Sequence, residues 1–290
     1  MALHKLKDFH TPGNMEDVLA LLGKDAESLV LSGGTFLRGL ETRGLLGDVE
    51  ALVDIRKAGL HTVTTDVAGL EVGATVTFAH LQTIDEVRNT PWLAGLADAL
   101  AYPPVQIRNI ATIGGCVAAS CPFFDIPTAL MALDALVRTR GPNGVRQMPL
   151  PEFFAGMFAN ALEPGELVTG VFIPRTQGNT AGAFLKLEGN ANDLAIVNTA
   201  VRITIDAART CTDVRVTLGG GVAESAVRIP SAEKILLGSK LDAATLQAAG
   251  DAVINDIDPM SDHRASAEYR RAVSKVMTRR ALERAMARLN

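Results

Sequence analysis

Two glycine-bearing turns, Ser32-Gly33-Gly34-Thr35 and Thr112-Ile113-Gly114-Gly115-Cys116, constrain this chain more than any other feature. The first is fed by Ser28-Leu29-Val30-Leu31, an apolar run that reads as a buried strand. Adjacent glycines admit backbone conformations that other side chains avoid. They also leave backbone N–H groups unobstructed, and the neighbouring Ser or Thr hydroxyl adds a further donor, which is the chemistry a phosphate needs. Neither turn follows G-x-G-x-x-G or G-x-x-x-x-G-K-S/T, so the Rossmann and P-loop templates both fail. A Gly-Gly pair alone marks a structural turn more often than a phosphate site, so the surrounding pattern has to decide.

Asn14 caps a short helix through Leu22, with Asp17 in its first turn and Gly23 closing it. Val49–Ile55 and Gly69–Gly73 read as strands, and a helical stretch begins at Thr77. This alternation implies an α/β or α+β class. From Pro91 to Pro127 the Pro103-Pro104 break, Arg108-Asn109 and the small residues Val117 to Ser120 read as a binding loop rather than a core element. Asp125 has two readings, a cap for a helix starting at Pro127 or a contact to a ligand. Pro174, Gly178 and nearby polar residues place a boundary near Arg175–Thr180. Beyond it, Thr199–Ile205 and Asp213–Leu218 alternate at period two, Gly219-Gly220-Gly221 forms a bend, and Asp242 caps a helix over Ala243–Ala249. The tail from Arg264 to Asn290 holds eight basic residues against Glu268 and Glu283. Tyr269, Val273, Val276, Met277, Ala281 and Leu282 recur there at helical spacing, which predicts one buried face with the arginines on the other.

Composition narrows the partners. With 290 residues the chain is long enough for two domains, or one with sub-lobes. A net charge of −4 removes global charge as an argument for binding nucleic acid or an anionic membrane, both of which call for a basic surface. Three cysteines and scattered histidines fit a reducing compartment and supply neither a disulfide framework nor a metal or iron–sulfur site. Cys116 and Cys121 read as structural thiols, and His80 and Trp92 as packing residues. The first residues contain no apolar signal core, and no apolar run approaches the ~20 residues of a membrane span. The sequence therefore predicts a cytoplasmic protein.

The run from Ile107 to Pro127, with Arg108-Asn109, Thr112-Ile113-Gly114-Gly115-Cys116 and Asp125-Ile126-Pro127, is followed by Ala132-Leu133-Asp134-Ala135. It resembles the FAD-binding medium subunit of the molybdenum hydroxylases, the family of carbon monoxide dehydrogenase and xanthine dehydrogenase. Val30 to Thr35, Leu52-Val53-Asp54-Ile55, Leu70 to Ala74, Glu166 to Pro174, Phe184-Leu185-Lys186 and Asp193-Leu194-Ala195 resemble its other landmarks, in order along nearly the whole chain.

The resemblance implies an α+β protein, a two-lobed FAD-binding domain of the vanillyl-alcohol-oxidase (PCMH) type over residues 1–177, with lobes at about 1–57 and 58–177. A smaller α+β domain of the CO dehydrogenase flavoprotein C-terminal type follows at 178–290. It assigns cofactor binding to Val30, Leu31, Ser32, Gly33, Gly34, Thr35, Phe36 and Leu37 in the first loop and to Thr112, Ile113, Gly114, Gly115 and Cys116 in the second. Asp125 is implied as an acceptor from ribose hydroxyls, Tyr102 and Val168 as ring neighbours, and Lys186 as a basic group beside the ring. Cys116, Cys121, Phe36 and the pair Phe123-Phe124 depart from the family pattern. The implied activity is electron transfer through FAD to NAD, quinone or oxygen, with no catalytic acid or base in this chain. The molybdenum cofactor and 2Fe–2S clusters are implied on a large and a small partner subunit, in a dimer of heterotrimers, with the basic C-terminal helix as one contact. A stand-alone FAD oxidoreductase, or a nucleotide-binding scaffold without flavin chemistry, is the alternative reading.

Overall fold

The computed structural model describes residues 3–23, 28–191 and 193–289; Met1, Ala2 and Asn290, which enter the readings of the chain ends, lie outside them. Strands β1 (Asp8–His10), β2 (Ser28–Leu31) and β3 (Ala51–Asp54) form a parallel sheet in the order β1-β3-β2. Helix α1 (Met15–Leu22) connects β1 to β2, and the Asn14 side chain accepts from Asp17 N at 2.9 Å at its start. Helix α2 (Thr35–Thr42) follows β2 directly.

A second sheet runs β4 (Val63–Thr65), β5 (Gly69–Gly73), β8 (Leu167–Pro174), β6 (Leu136–Gly141), β7 (Gly144–Pro149) in spatial order, all antiparallel. Between β5 and β6 lie helices α3 (Ala94–Ala101), α4 (Ile113–Ala118) and α5 (Asp125–Ala132), with shorter turns at Phe78–Leu81, Asp85–Asn89 and Val105–Arg108. The segment from Pro91 to Pro127 is therefore largely helical and core-forming rather than an open loop. Leu93, Leu96, Leu100, Ile113 and Val117 are wholly buried in it. Its loop-like composition has a packing cause: a Cβ on Gly95 would stand 3.3 Å from the Ala183 backbone, and one on Gly114 would stand 2.4 Å from Ala74 Cβ. Small residues here let helices lie close on their neighbours.

The third sheet is an antiparallel meander of β9 (Asn179–Leu187), β10 (Val197–Ile205), β11 (Cys211–Gly219) and β12 (Val227–Arg228). Helices α3 and α5 cover one face, and α8 (Ala267–Met286), with α6 (Pro230–Leu236) and α7 (Ala243–Ala252), covers the other. Every residue of β10 is buried for that reason, where a period-two strand read alone suggests an exposed face.

Helix α8 corrects the expectation that its arginines face water. Arg270 is wholly buried. Its guanidinium donates to the carbonyls of Ile196 at 3.0 Å, Gly220 at 3.1 Å and Ala265 at 3.1 Å, to that of Met260, and to Asp262 Oδ1 at 2.9 Å. Arg284 and Arg288 turn back onto Asp98 of α3, at 3.0 Å and 2.7 Å, and Asp98 Oδ2 also accepts from Phe184 N at 3.1 Å. Apolar spacing identifies Met277, Ala281 and Leu282 on the buried face, with Val273 partly covered, but Tyr269 and Val276, expected there, are exposed, and spacing does not find a guanidinium whose donors meet carbonyls and one carboxylate.

Glu166 fixes the start of the second lobe's central strand. Burial raises its carboxyl, but donation from Arg146, Glu163 N and Thr139 outweighs burial and holds it down at about 2. Its contribution to stability is fully present above the ordinary value of 4.5 and is lost as pH falls toward about 2. Glu166→Gln removes that part of the acid limb, and urea unfolding between those pH values measures the flattening. Arg270→Ala strips a buried ion pair with Asp262 and leaves several carbonyls unpaired; denaturant unfolding is expected to show a loss of about 3 kcal/mol or more.

Candidate functional site: the seam between two glycine loops

Strand β2 delivers Gly33 against the second lobe. A Cβ there would fall 1.9 Å from the Ile110 carbonyl oxygen, so only glycine allows the approach. Gly34, at φ 71°, is the N-cap of α2 and offers no side chain to its first turn. The first N–H groups of that helix have no intrahelical partner. Val30 and Leu31 pair with Val53 and Asp54 in the sheet that aims this turn.

The second loop meets the first through hydroxyls: Thr112 Oγ1 donates to Ser32 Oγ at 3.1 Å and accepts from Gly115 N at 3.2 Å as the N-cap of α4. Its N–H groups are already engaged. Ile113 N donates to Val76 O at 3.0 Å and Gly114 N to Ala74 O at 2.9 Å. The missing side chain of Gly114 thus serves packing, and the group this loop turns toward the seam is the Thr112 hydroxyl. Val168 lies close to this loop: Ala74 N donates to Thr169 O at 2.9 Å, and Val168 is buried in the second-lobe core at a bulge of β8.

Two departures from the family pattern pair with each other. Phe36, in the first turn of α2, packs edge-on to Phe124 at 5.8 Å and stacks on Phe158 at 5.9 Å between centroids. Phe158 lies at the turn between the short strands Phe154–Gly156 and Ala159–Asn160, at φ 57°, an unusual conformation for a bulky residue. Its N–H donates to Ser120 O at 2.9 Å. The other member of the Phe pair, Phe123, packs under Arg264 at 4.7 Å.

Tyr102, Asp125 and Lys186, far apart in sequence, are brought together. Lys186 Nζ is buried 3.1 Å from Asp125 Oδ2 and 2.9 Å from Glu188 Oε2, and donates to Asp193 O at 2.6 Å. It lies 5.7 Å from the centre of the Tyr102 ring, and Lys186 N donates to the Tyr102 hydroxyl at 3.3 Å. Asp125 is not the cap of α5, since Phe124 holds that position. Its other oxygen accepts from Asn198 Nδ2 at 2.9 Å. Burial pushes the Asp125 carboxyl up from its ordinary value, against the pull of Lys186 and Asn198.

Sequence reasoning missed Glu188 and Asn198 at this corner. The available signal for Asn198 was the one amide in a strand whose other polar residues are Thr199, Arg202 and Thr204. Burial raises the Cys116 thiol well above its usual value and Cys121 to about 11, so both stay protonated and inert. A concavity of about 380 Å3 shares no residue with either glycine loop; Arg175 and the paired Arg202, Asp134 and Asp213 line it. No group of His, Cys, Asp and Glu among the described residues could hold a metal ion, and no helix among them is long and apolar enough to cross a membrane.

Residues 4–176 match the model of the FAD binding domain in molybdopterin dehydrogenase, and residues 182–285 that of the CO dehydrogenase flavoprotein C-terminal domain. The chain belongs to this family, the FAD-binding medium subunits of the molybdenum hydroxylases. It is 33% identical to the carbon monoxide dehydrogenase medium chain of Afipia carboxidovorans, over 97% of both chains. It is 32% identical to the 6-hydroxypseudooxynicotine dehydrogenase complex subunit alpha of Paenarthrobacter nicotinovorans, over 97% of this chain and 95% of that one. The carbon monoxide dehydrogenase of Hydrogenophaga pseudoflava, solved without the Mo-pyranopterin moiety of its cofactor, superposes with a TM-score of 0.92 over 98% of this chain and 99% of that one, at 30% identity.

The seam makes a paired prediction. Gly33→Ala drives a methyl into the Ile110 carbonyl and is expected to lower the melting temperature by several degrees, whereas Gly39→Ala, with open space around it in α2, stays within about 1 kcal/mol on the stabilising side. Differential scanning calorimetry of both variants measures the contrast.

Proposed function

We propose that FAD is held across the seam of the first and second lobes, its pyrophosphate at the N-terminus of α2 and its ring on the side of Tyr102 and Lys186. The observation that supports this reading is the meeting of the two glycine loops at the Ser32–Thr112 hydroxyl pair, beside the uncapped first turn of α2. The residues fit the group. Gly33 to Leu37 supply backbone donors and the positive end of the helix dipole, and Ser32 and Thr112 supply hydroxyls, which is a donor set suited to a diphosphate. Val30 and Leu31 set the direction of the turn, and Ile113 to Cys116 form the wall behind Thr112. Asp125 offers acceptor capacity to ribose hydroxyls. Phe36 closes the lobes with apolar area at a position where the family pattern commonly has a polar side chain.

When bound, FAD collects electrons arriving singly and passes them on in pairs. The chain's residues tune and shield that chemistry. Lys186 places one positive charge beside two carboxylates, and Val168 presents an apolar surface. Neither buried thiol offers a nucleophile, so the residues favour an electron-transfer subunit over a stand-alone oxidase. We assign the division at residues 177 and 178, a large molybdenum-cofactor subunit and a small 2Fe–2S subunit as partners in a dimer of heterotrimers, and a cytoplasmic location. The final acceptor is NAD, quinone or oxygen. Arg271 and Arg280, with Tyr269 and Val276, are exposed on α8, alongside Glu268 and Glu283, and offer a partner contact.

The test is to isolate the protein by a tag on this chain, record its absorption spectrum and release the cofactor with acid. Bound FAD is expected. Ser32→Ala combined with Thr112→Val is expected to weaken FAD binding on the order of tenfold or more. Lys186→Ala is expected to lower the flavin midpoint potential, because a cation that stabilises the reduced, more negative flavin is gone. A colourless preparation that takes up no added FAD overturns the reading.

A further inference from the structure

We propose that Asn198 is a positioning residue of the flavin site, whose carboxamide holds the Asp125 carboxylate in the orientation that pairs it with Lys186. The inference rests on the cofactor reading above and goes past it, because it assigns control of that acidic corner to the C-terminal sheet rather than to α5.

Three residues in register across adjacent strands make the grip: Lys186 of β9 faces Asn198 of β10, which faces Gly219 of β11. Asn198 is wholly buried. Its amide nitrogen donates to Asp125 Oδ1 at 2.9 Å and to the Phe124 carbonyl at 3.2 Å, and its oxygen accepts from Thr128 Oγ1 at 2.8 Å. The orientation of the amide follows from chemistry. An ionised carboxylate and a carbonyl only accept, so the NH2 end must face Asp125 and Phe124, and the oxygen must face the hydroxyl. Both N–H donors are then used within the chain, which is why Asn198 acts through Asp125 and not on the cofactor itself. Gly219 leaves the room: a Cβ there would stand 2.3 Å from Thr128 Oγ1 and 2.6 Å from Asn198 Oδ1.

With Asn198 on one oxygen and Lys186 on the other, the carboxylate is pinned at both ends. The other titratable groups beside it are Glu188, one residue past the end of β9 and paired with Lys186, Tyr102 of the turn after α3, whose ring lies 5.7 Å from Lys186 Nζ, and Cys116 of α4, which burial keeps as a neutral thiol. Removing the amide leaves Asp125 Oδ1 buried without its donor and frees the carboxylate to turn from Lys186. An aspartate at 198 sets two carboxylates at hydrogen-bond distance, and such a pair shares one proton. A protonated aspartate then donates to Asp125 as the amide does.

The test uses the protein isolated with whatever subunits accompany it, and titrates FAD into the stripped wild type, Asn198→Ala, Asn198→Asp and Thr128→Val between about pH 5.5 and 8.5. Asn198→Ala is expected to raise the FAD Kd on the order of tenfold or more. Asn198→Asp is expected to bind worst at high pH and to recover toward low pH, a rise in affinity on acidification that the wild type lacks. Thr128→Val, which keeps the shape and removes only the hydroxyl that steadies the amide, is expected to fall between wild type and Asn198→Ala. Wild-type Kd and wild-type pH profile in Asn198→Asp and Thr128→Val overturn the assignment, whether or not Asn198→Ala folds. A wild type that takes up no FAD overturns the cofactor reading beneath it, and variants that leave a FAD-loading wild type's behaviour unchanged overturn the role of Asn198 alone.

Discussion

The contact on which the rest of this molecule depends is the approach of one backbone to another at Gly33 and Ile110. No side chain fits between them. The approach brings the end of a parallel strand and the open first turn of α2 against a lobe built on a different, antiparallel sheet, and the Ser32–Thr112 hydrogen bond lies directly beside it. A donor-rich seam arises because helix termini leave N–H groups unpaired and because glycine lets two such loops come near each other. The second loop's N–H groups are used up in holding α4 against Ala74 and Val76. The two glycine turns, alike in sequence, thus do different work: one presents donors, and the other builds the wall that makes the seam narrow.

The C-terminal sheet is bound into this arrangement by polar groups that apolar burial alone would not place. Asp98 gathers Arg284, Arg288 and the Phe184 amide, so helix α3, strand β9 and helix α8 meet at one carboxylate. The glycine run at 219–221 is a seat rather than a simple bend. Gly220 N donates to Pro122 O at 2.9 Å, and a Cβ on Gly221 would stand 2.7 Å from the Phe123 ring. The loop before Asp125 therefore rests on the C-terminal sheet, and the acidic corner is shared between the two halves of the chain.

Much of this was legible in the sequence where the signal is local. The Asn14 cap, the strand feeding Gly33 and the Asp242 cap of α7 appear where residue type dictates them. The architecture was legible through the resemblance, whose landmarks run in order along the chain. What stayed hidden depends on contacts between distant segments. Gly95 and Gly114 look like loop residues until the helices they allow to pack are seen. Arg270 has the composition of a solvated face, and only the carbonyls and the Asp262 carboxylate that surround it explain its burial. Asn198 lies in a strand with no motif around it, and its importance comes wholly from what α5 lays across it.

The aromatic contact of Phe36 with Phe124 and Phe158 has a consequence for inheritance. Three segments meet there: the start of α2, the residue before α5 and the turn of a small hairpin. Phe36 is the ring that both others touch, so exchanging it for a polar residue takes the aromatic partner from Phe124 and Phe158 together. A chimaera that borrows the start of α2 from a relative therefore alters the packing of the residue before α5 and of the hairpin turn at once.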